Sequence, residues 1–129
     1  MQLLIERTET TPRVTFDSSS KTFLISGWSS PENSSKFYTP IINWLNENGA
    51  AQVKDVTFTF KMNYFNSSSS KMLYVIFQRL EKLNADGNNI RIEWYYMNDD
   101  DKEHFEETFG RLIKMPVELV LWKIEDSNT

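Results

Sequence analysis

The sequence predicts a single α/β domain in which a mixed sheet of four to five strands carries about three helices. Short runs of alternating apolar residues take turns with longer runs that have helical spacing, which favours a largely parallel or mixed sheet covered by helices. The chain has 129 residues, the size of one ordinary domain, and no repeat or linker divides residues 1–129. Hydrophobic residues make up 40% and charged residues 25%, which is a globular balance.

The chain is predicted to begin with a β-hairpin. Residues 13–17 and 22–28 are short alternating or apolar runs on either side of a serine-rich turn, the pattern of two antiparallel strands. The six residues at the start form either a further edge strand or a loosely held terminus.

A helix and a strand are expected next. The helix opens at Ser30–Asn33, places its apolar residues on one stripe and stops at Gly49. Pro40 either begins the main part of this helix or kinks a longer one, because proline removes an internal hydrogen bond. Residues 53–65 then alternate as a strand does.

The second half is predicted to form helix, strand, helix and a last strand. Residues 71–83 have their apolar side chains on one helical stripe, and residues 90–97 are strand-like. An acidic start opens a helix over residues 98–114. Residues 115–124 form a last strand or a docked segment, and residues 125–129 are expected to fray.

Composition excludes several kinds of site. The net charge of −4 supplies no dense basic stripe, so neither nucleic acid nor an anionic membrane surface is an expected partner. The chain has no cysteine, which excludes disulfides, thiolate catalysis and cysteine-based zinc sites. No apolar run approaches the roughly 20 residues that cross a bilayer. A cytoplasmic location is the resulting expectation.

An acidic stretch with the single histidine suggests one alternative function. Residues 99–107 contain Asp99, Asp100 and Asp101 followed by three glutamates, with His104 among them. These side chains could form a small metal-binding module or enzyme site, although their spacing does not match a calcium loop. Acidic residues in a first helical turn also complement the helix dipole without any ligand.

The run NSSSSK, Asn66–Lys71, poses the main functional question. Asn66 or a serine can cap the following helix, which stabilises a helix by about 1 kcal/mol. The same end of a helix favours an anion, so a phosphorylated serine there would act as a reversible charge switch with Lys71 close by. Ser68 and Lys71 formally match an S-x-x-K motif, but its companion motifs and any glycine-rich phosphate loop are absent. We therefore expect neither catalysis nor a cofactor.

Three aromatic residues are consecutive in the predicted strand at residues 90–97. Trp94, Tyr95 and Tyr96 alternate across this strand, so one is expected in the core and another outside.

Several segments together resemble a known family. Over residues 27–116 the sequence resembles the SiaC family of bacterial regulatory phosphoproteins, whose fold is similar to the STAS domain of anti-anti-sigma factors. The motifs that carry the resemblance are Pro31-Glu32-Asn33-Ser34, Asn66 with its hydroxyl run, and Trp94-x-Tyr96 with the acidic stretch.

The resemblance implies a partner switch in cyclic-di-GMP signalling. Family members are phosphorylated by a serine/threonine kinase and reset by a PP2C-type phosphatase, and the unmodified form binds and stimulates a diguanylate cyclase. The family's modified threonine follows the asparagine of the hydroxyl run. It corresponds to Ser67 here, with Ser68 as the second candidate. The expected partner-binding residues are Pro31, Glu32, Asn33, Ser34, Asn66 and Lys71.

Overall fold

From the third strand onward, strands and helices alternate along the chain, as the sequence pattern predicts. The computed structural model describes residues 1–123, and the tail at 125–129, which was predicted to fray, lies outside the described residues. A π-helical turn at Asn84–Asn88 follows the second helix, and Gly87 takes a φ of 99° there. The elements are β1 (Leu3–Ile5), β2 (Arg13–Asp17), β3 (Thr22–Ser29), α1 (Ser34–Gln52), β4 (Val56–Phe65), α2 (Ser67–Leu83), β5 (Ile90–Tyr96), α3 (Asp99–Phe109) and β6 (Val117–Leu121).

The strands form one mixed sheet in the order β1-β2-β3-β4-β5-β6. The first three strands pair antiparallel, and β3 to β6 pair parallel. This confirms the predicted α/β class and mixed sheet. The six strands are one more than the upper end of the prediction, because the first residues form the edge strand β1, one of the two alternatives for them, while β6 is the predicted last strand. The β1 strand has only three residues, too short for an alternating pattern to identify it.

Three parallel crossovers place the three helices on one face of the sheet, since such connections share one hand. The core between sheet and helices is largely aromatic. Phe60 stacks on Trp94 with ring centroids 5.6 Å apart, and Phe109 lies 5.8 Å from the same indole. The largest fully buried side chains are Trp94, Tyr38, Phe16, Phe23, Phe58, Phe60, Phe77 and Phe109.

The first helix is longer than its sequence signals suggest. Pro40 lies inside α1, so the alternative of a longer helix holds. Gly49 does not end the helix. It is buried where α1 meets α2, and a side-chain carbon added to it would lie 2.9 Å from Leu83 Cδ1. Glycine is therefore used here for close helix packing, and α1 continues to Gln52.

The third helix is shorter than predicted and ends at Phe109. The Leu112 and Ile113 amides both donate to the Phe109 carbonyl, which forms a turn. Beyond the turn, the Glu81 carboxylate of α2 accepts hydrogen bonds from two backbone amides, at Lys114 and at Met115. These bonds redirect the chain towards β6. Within residues 1–123, no helix is long and apolar enough to cross a membrane.

Candidate functional site

Three helix N-termini lie at the edge of the sheet where the parallel strands β3, β4 and β5 end. Each is capped by an asparagine whose side-chain oxygen accepts a backbone N–H of the first turn. Asn33 accepts from Lys36, Asn66 accepts from Ser69 at 2.8 Å, and Asn98 starts α3 in the same way. The carboxyl edge of a parallel sheet is where α/β proteins place their binding sites.

The serine run, defined here as Ser67–Ser70, forms the first turn of α2. The helix thus begins four residues before the predicted start at Lys71. Of the predicted caps, Asn66 or a serine, the helix uses Asn66. Ser67 and Ser68 are exposed, whereas Ser69 is fully buried. The Ser70 hydroxyl donates back to the Ser67 carbonyl at 2.7 Å. Within residues 1–123 the Ser67 hydroxyl has no hydrogen-bond partner.

A chain of buried hydroxyl groups holds Ser69 in place. Tyr38 of α1 lies 2.6 Å from the Ser29 hydroxyl, which donates to the Ser69 hydroxyl at 2.8 Å. Ser69 in turn donates to the Ser29 carbonyl. Burial raises the pKa of Tyr38 to about 12, against smaller opposing effects of its hydrogen bonds with the two serines. These hydrogen-bonded hydroxyl groups link α1, β3 and α2 behind the exposed serines.

The Pro31–Ser34 segment also meets the serine run. Ser34 is buried, and its hydroxyl lies 2.6 Å from that of Ser68, which donates to the Asn66 side chain. Asn33 serves as the cap of α1. Pro31 is half-buried. Of the six residues expected to bind a partner, the structure leaves Glu32 and Lys71 with freely exposed charged side chains. It engages Asn33, Ser34 and Asn66 in hydrogen bonds.

Ser67 opens into a cavity of about 390 Å³ between β4, α2 and α3, called the Ser67 cavity below. The sequence assigned His104 to a metal-binding alternative, but the structure places it in this cavity. Within residues 1–123, no three acidic or histidine side chains are grouped to hold a metal ion. The residues lining the Ser67 cavity are Tyr64, Phe65, Asn66, Ser67, Ser70, His104 and Thr108.

An exposed aromatic pair flanks the serine run. Trp28 at the end of β3 and Tyr64 at the end of β4 stack with ring centroids 4.5 Å apart, although 44% and 42% of their surfaces are exposed. Trp28 points outward by the regular alternation of β3, next to Gly27, whose φ of 125° suits glycine. The register shift between Gly27 and Trp28 places one extra residue, Asn63, in β4, and this turns Tyr64 outward as well. Sequence reasoning missed this pair. Its signal was a glycine inside a strand, next to a large aromatic residue.

The aromatic motif of β5 was expected to have one member inside and another outside. Trp94 is buried as expected, while Tyr95 and Tyr96 are half-buried. The Lys61 ammonium lies 4.6 Å from the Tyr95 ring centre, and Lys102 similarly covers Tyr96. The most exposed aromatic surface therefore lies beside the serine run and not on β5.

Known proteins share this fold. Pseudomonas aeruginosa apo-SiaC superposes with a TM-score of 0.80 at 24% identity, over 93% of this chain and 98% of that chain. A second structure, diguanylate cyclase SiaD of the same organism in complex with its activator SiaC, gives a TM-score of 0.82 at 25% identity, over 93% and 99%. At such low identities the likeness establishes the fold.

Sequence comparison identifies the family. An uncharacterized protein of Pseudomonas aeruginosa (strain UCBPP-PA14) is 28% identical over 94 residues, which are 73% of this chain and 75% of that protein. The family of SiaC regulatory phosphoproteins matches residues 5–121, which include every strand and helix except the first two residues of β1. This chain therefore belongs to the SiaC family of regulatory phosphoproteins.

Proposed function

We propose that this chain is a non-catalytic partner switch controlled by phosphorylation of Ser67. In the unmodified form it binds and stimulates a diguanylate cyclase in the cytoplasm. A serine/threonine kinase adds the phosphate, which releases the partner, and a PP2C-type phosphatase removes it. A cyclase partner is supported by the related SiaC of Pseudomonas aeruginosa, which is an activator found in complex with the diguanylate cyclase SiaD.

The exposure of the Ser67 hydroxyl is the main support for this proposal. A kinase needs an acceptor oxygen that reaches solvent, and Ser67 is exposed with no hydrogen-bond partner in residues 1–123. Ser68 is also exposed, but its hydroxyl bonds Ser34 and Asn66. Ser69 is buried in the hydroxyl chain. We therefore favour Ser67 over Ser68, the second candidate, as the acceptor.

The expected action of the phosphate is electrostatic. A phosphoserine carries nearly two negative charges, and the first turn of a helix attracts them through its free amides and dipole. Lys71 lies one turn further along α2 from Ser67, so its ammonium is a neighbour in a helix. Within residues 1–123, Lys71 forms no ion pair. A phosphate on Ser67 would thus be held at the protein surface.

A partner docked over this surface would lose contact when the phosphate appears. We propose that it covers the Trp28–Tyr64 pair and the exposed Glu32 and Lys71 beside the serine run. Exposed aromatic side chains are enriched at protein interfaces. Tyr64 also lines the Ser67 cavity, so a phosphate would bring charge and bound water to the edge of the aromatic pair. Desolvating that charge opposes binding.

Phosphopeptide mapping tests the acceptor. The full chain is incubated with its serine/threonine kinase and ATP, and the modified residue is located by mass spectrometry. We expect the label on Ser67, its loss in Ser67→Ala, and its retention in Ser69→Ala. Retention is expected because the Ser69 hydroxyl is buried. Failure to label any residue of the serine run would refute the proposal.

A binding comparison separates this switch from a simpler alternative, a structural adaptor that binds its partner constitutively and is not modified. Ser67→Ala should bind the cyclase as the unmodified chain does, whereas Ser67→Asp should bind more weakly through added charge, although a carboxylate imitates phosphate imperfectly. Equal binding by phosphorylated and unmodified protein would favour the adaptor.

A further inference from the structure

The Ser67 cavity contains one side chain that neither the helix end nor the serine run supplies. His104 lies on α3, and it faces the same cavity as Ser67 and Ser70 of α2. The cavity thus joins two helices that follow different strands. A group attached to Ser67 would enter a space partly enclosed by α3.

The imidazole of His104 is held in a defined position. It stacks on Phe65, with ring centroids 4.9 Å apart and planes 25° apart. Phe65 is itself buried at the end of β4, directly before Asn66, so the platform under the imidazole is rigid. His104 is exposed, and within residues 1–123 neither of its ring nitrogens has a hydrogen-bond partner. Its donors remain available to a ligand.

The position of His104 is important because of the charged residues near the cavity. The α3 helix is strongly acidic, with Asp100 four residues before His104 and Glu107 three residues after it, both neighbours of the imidazole in helical geometry. Such a helix repels a phosphate. Lys71 of the facing helix α2 is not among the lining residues, and β4 lines the cavity with two uncharged side chains, Tyr64 and Phe65. His104 is the one side chain of α3 lining the cavity that can become a cation.

We infer that His104 is a direct contact of the phosphate on Ser67, donating a hydrogen bond from its imidazole and thereby drawing α3 into the switch. This inference rests on the proposed modification of Ser67. Charge-assisted hydrogen bonds from imidazolium to phosphate are among the stronger ones in proteins. The phosphate would then bridge the N-terminal turn of α2 and a side chain of α3.

Nuclear magnetic resonance tests the contact without a kinase. Phosphoserine is placed at position 67 of the full chain during translation, so the outcome does not depend on enzymatic labelling. His104 is the single histidine, so its ring C–H signals are unambiguous. We expect them to move towards the protonated form at near-neutral pH when Ser67 is phosphorylated. Phosphoserine at Ser18, in the turn at the opposite end of β3, should leave them unchanged.

The phosphorus resonance of the phosphoserine tests the same contact from the side of the phosphate. In His104→Gln the pH midpoint of the phosphoserine titration should rise by roughly half a unit to one unit, because a neutral amide no longer stabilises the dianion. A merely structural role of His104 would not move this midpoint. Unchanged ring signals together with an unchanged midpoint overturn the inference. If both signals respond but the kinase never labels Ser67, the contact stands and the proposed function fails.

Discussion

The buried hydroxyl chain makes the stability of this protein sensitive to alkaline pH. Burial raises the pKa of Tyr38 from 10.0 to about 12 in the folded chain, so the folded state keeps a proton that the unfolded state loses. The resulting stabilisation is complete below the unfolded pKa and disappears as the pH rises through the folded pKa. A difference of about 2 units corresponds to about 2.7 kcal/mol in total, of which about 1.4 kcal/mol is lost by about pH 11.

Tyr38→Phe isolates this contribution. At neutral pH the variant loses one hydrogen bond to Ser29, a cost of about 1 kcal/mol. Between about pH 9 and about pH 11 the wild type should lose about 1.4 kcal/mol more stability than the variant, because phenylalanine has no proton to release. Urea unfolding followed by tryptophan fluorescence at both pH values measures the difference. Tyr64→Phe, at an exposed position, is the matched control and should follow the wild type.

Equal alkaline losses in wild type and Tyr38→Phe would refute the reasoning. They would mean that the phenol does not lie sealed against Ser29 and Ser69 in the folded chain. The serine run would then lack the buried support that distinguishes Ser69 from Ser67.

Three further predictions concern the cap, the end of α3 and metal binding. Asn66→Ala should lower the free energy of unfolding by about 1 kcal/mol and Asn66→Asp should restore most of it, while equal stability of the two variants would contradict the assigned cap. Urea unfolding should show that Phe109→Ala lowers the free energy of unfolding by about 3–5 kcal/mol, because Phe109 is buried. Leu112→Ala should change it by less than about 0.5 kcal/mol, because Leu112 is 45% exposed and lies beyond the end of α3. Similar losses in the two variants would contradict the end of α3 at Phe109. Thermal unfolding should not respond to Mg²⁺, Mn²⁺, Ca²⁺ or Zn²⁺, and a stabilisation abolished by Asp100→Asn would revive the metal-binding alternative.

Most of the fold could be predicted from the sequence because its strands and helices have clear periodicity. The serine run, the acidic start of α3 and the Pro31–Ser34 segment were all placed at helix starts. Boundaries were less accurate. Glycine is typical of a helix end, but Gly49 instead allows close packing against Leu83 of another helix. The local sequence does not reveal this contact.

The site could be predicted only in part. The proximity of the serine run to His104 could in principle be inferred from topology, since their helices α2 and α3 follow neighbouring parallel strands whose carboxyl ends share an edge. The sequence does not reveal which serine of the run is buried and which is exposed. Which hydroxyl is buried depends on Ser29 and Tyr38, residues of β3 and α1 that reach Ser69 only in the folded chain.

The affinity of the cyclase for two forms of the full chain tests the central claim most directly. Isothermal titration would compare unmodified protein with protein carrying phosphoserine at position 67, and phosphoserine at Ser18 would serve as the control. We predict that phosphate on Ser67 weakens binding at least about tenfold, or about 1.4 kcal/mol, while the control binds as the unmodified chain does. Equal or tighter binding of the Ser67-phosphorylated protein would contradict the account.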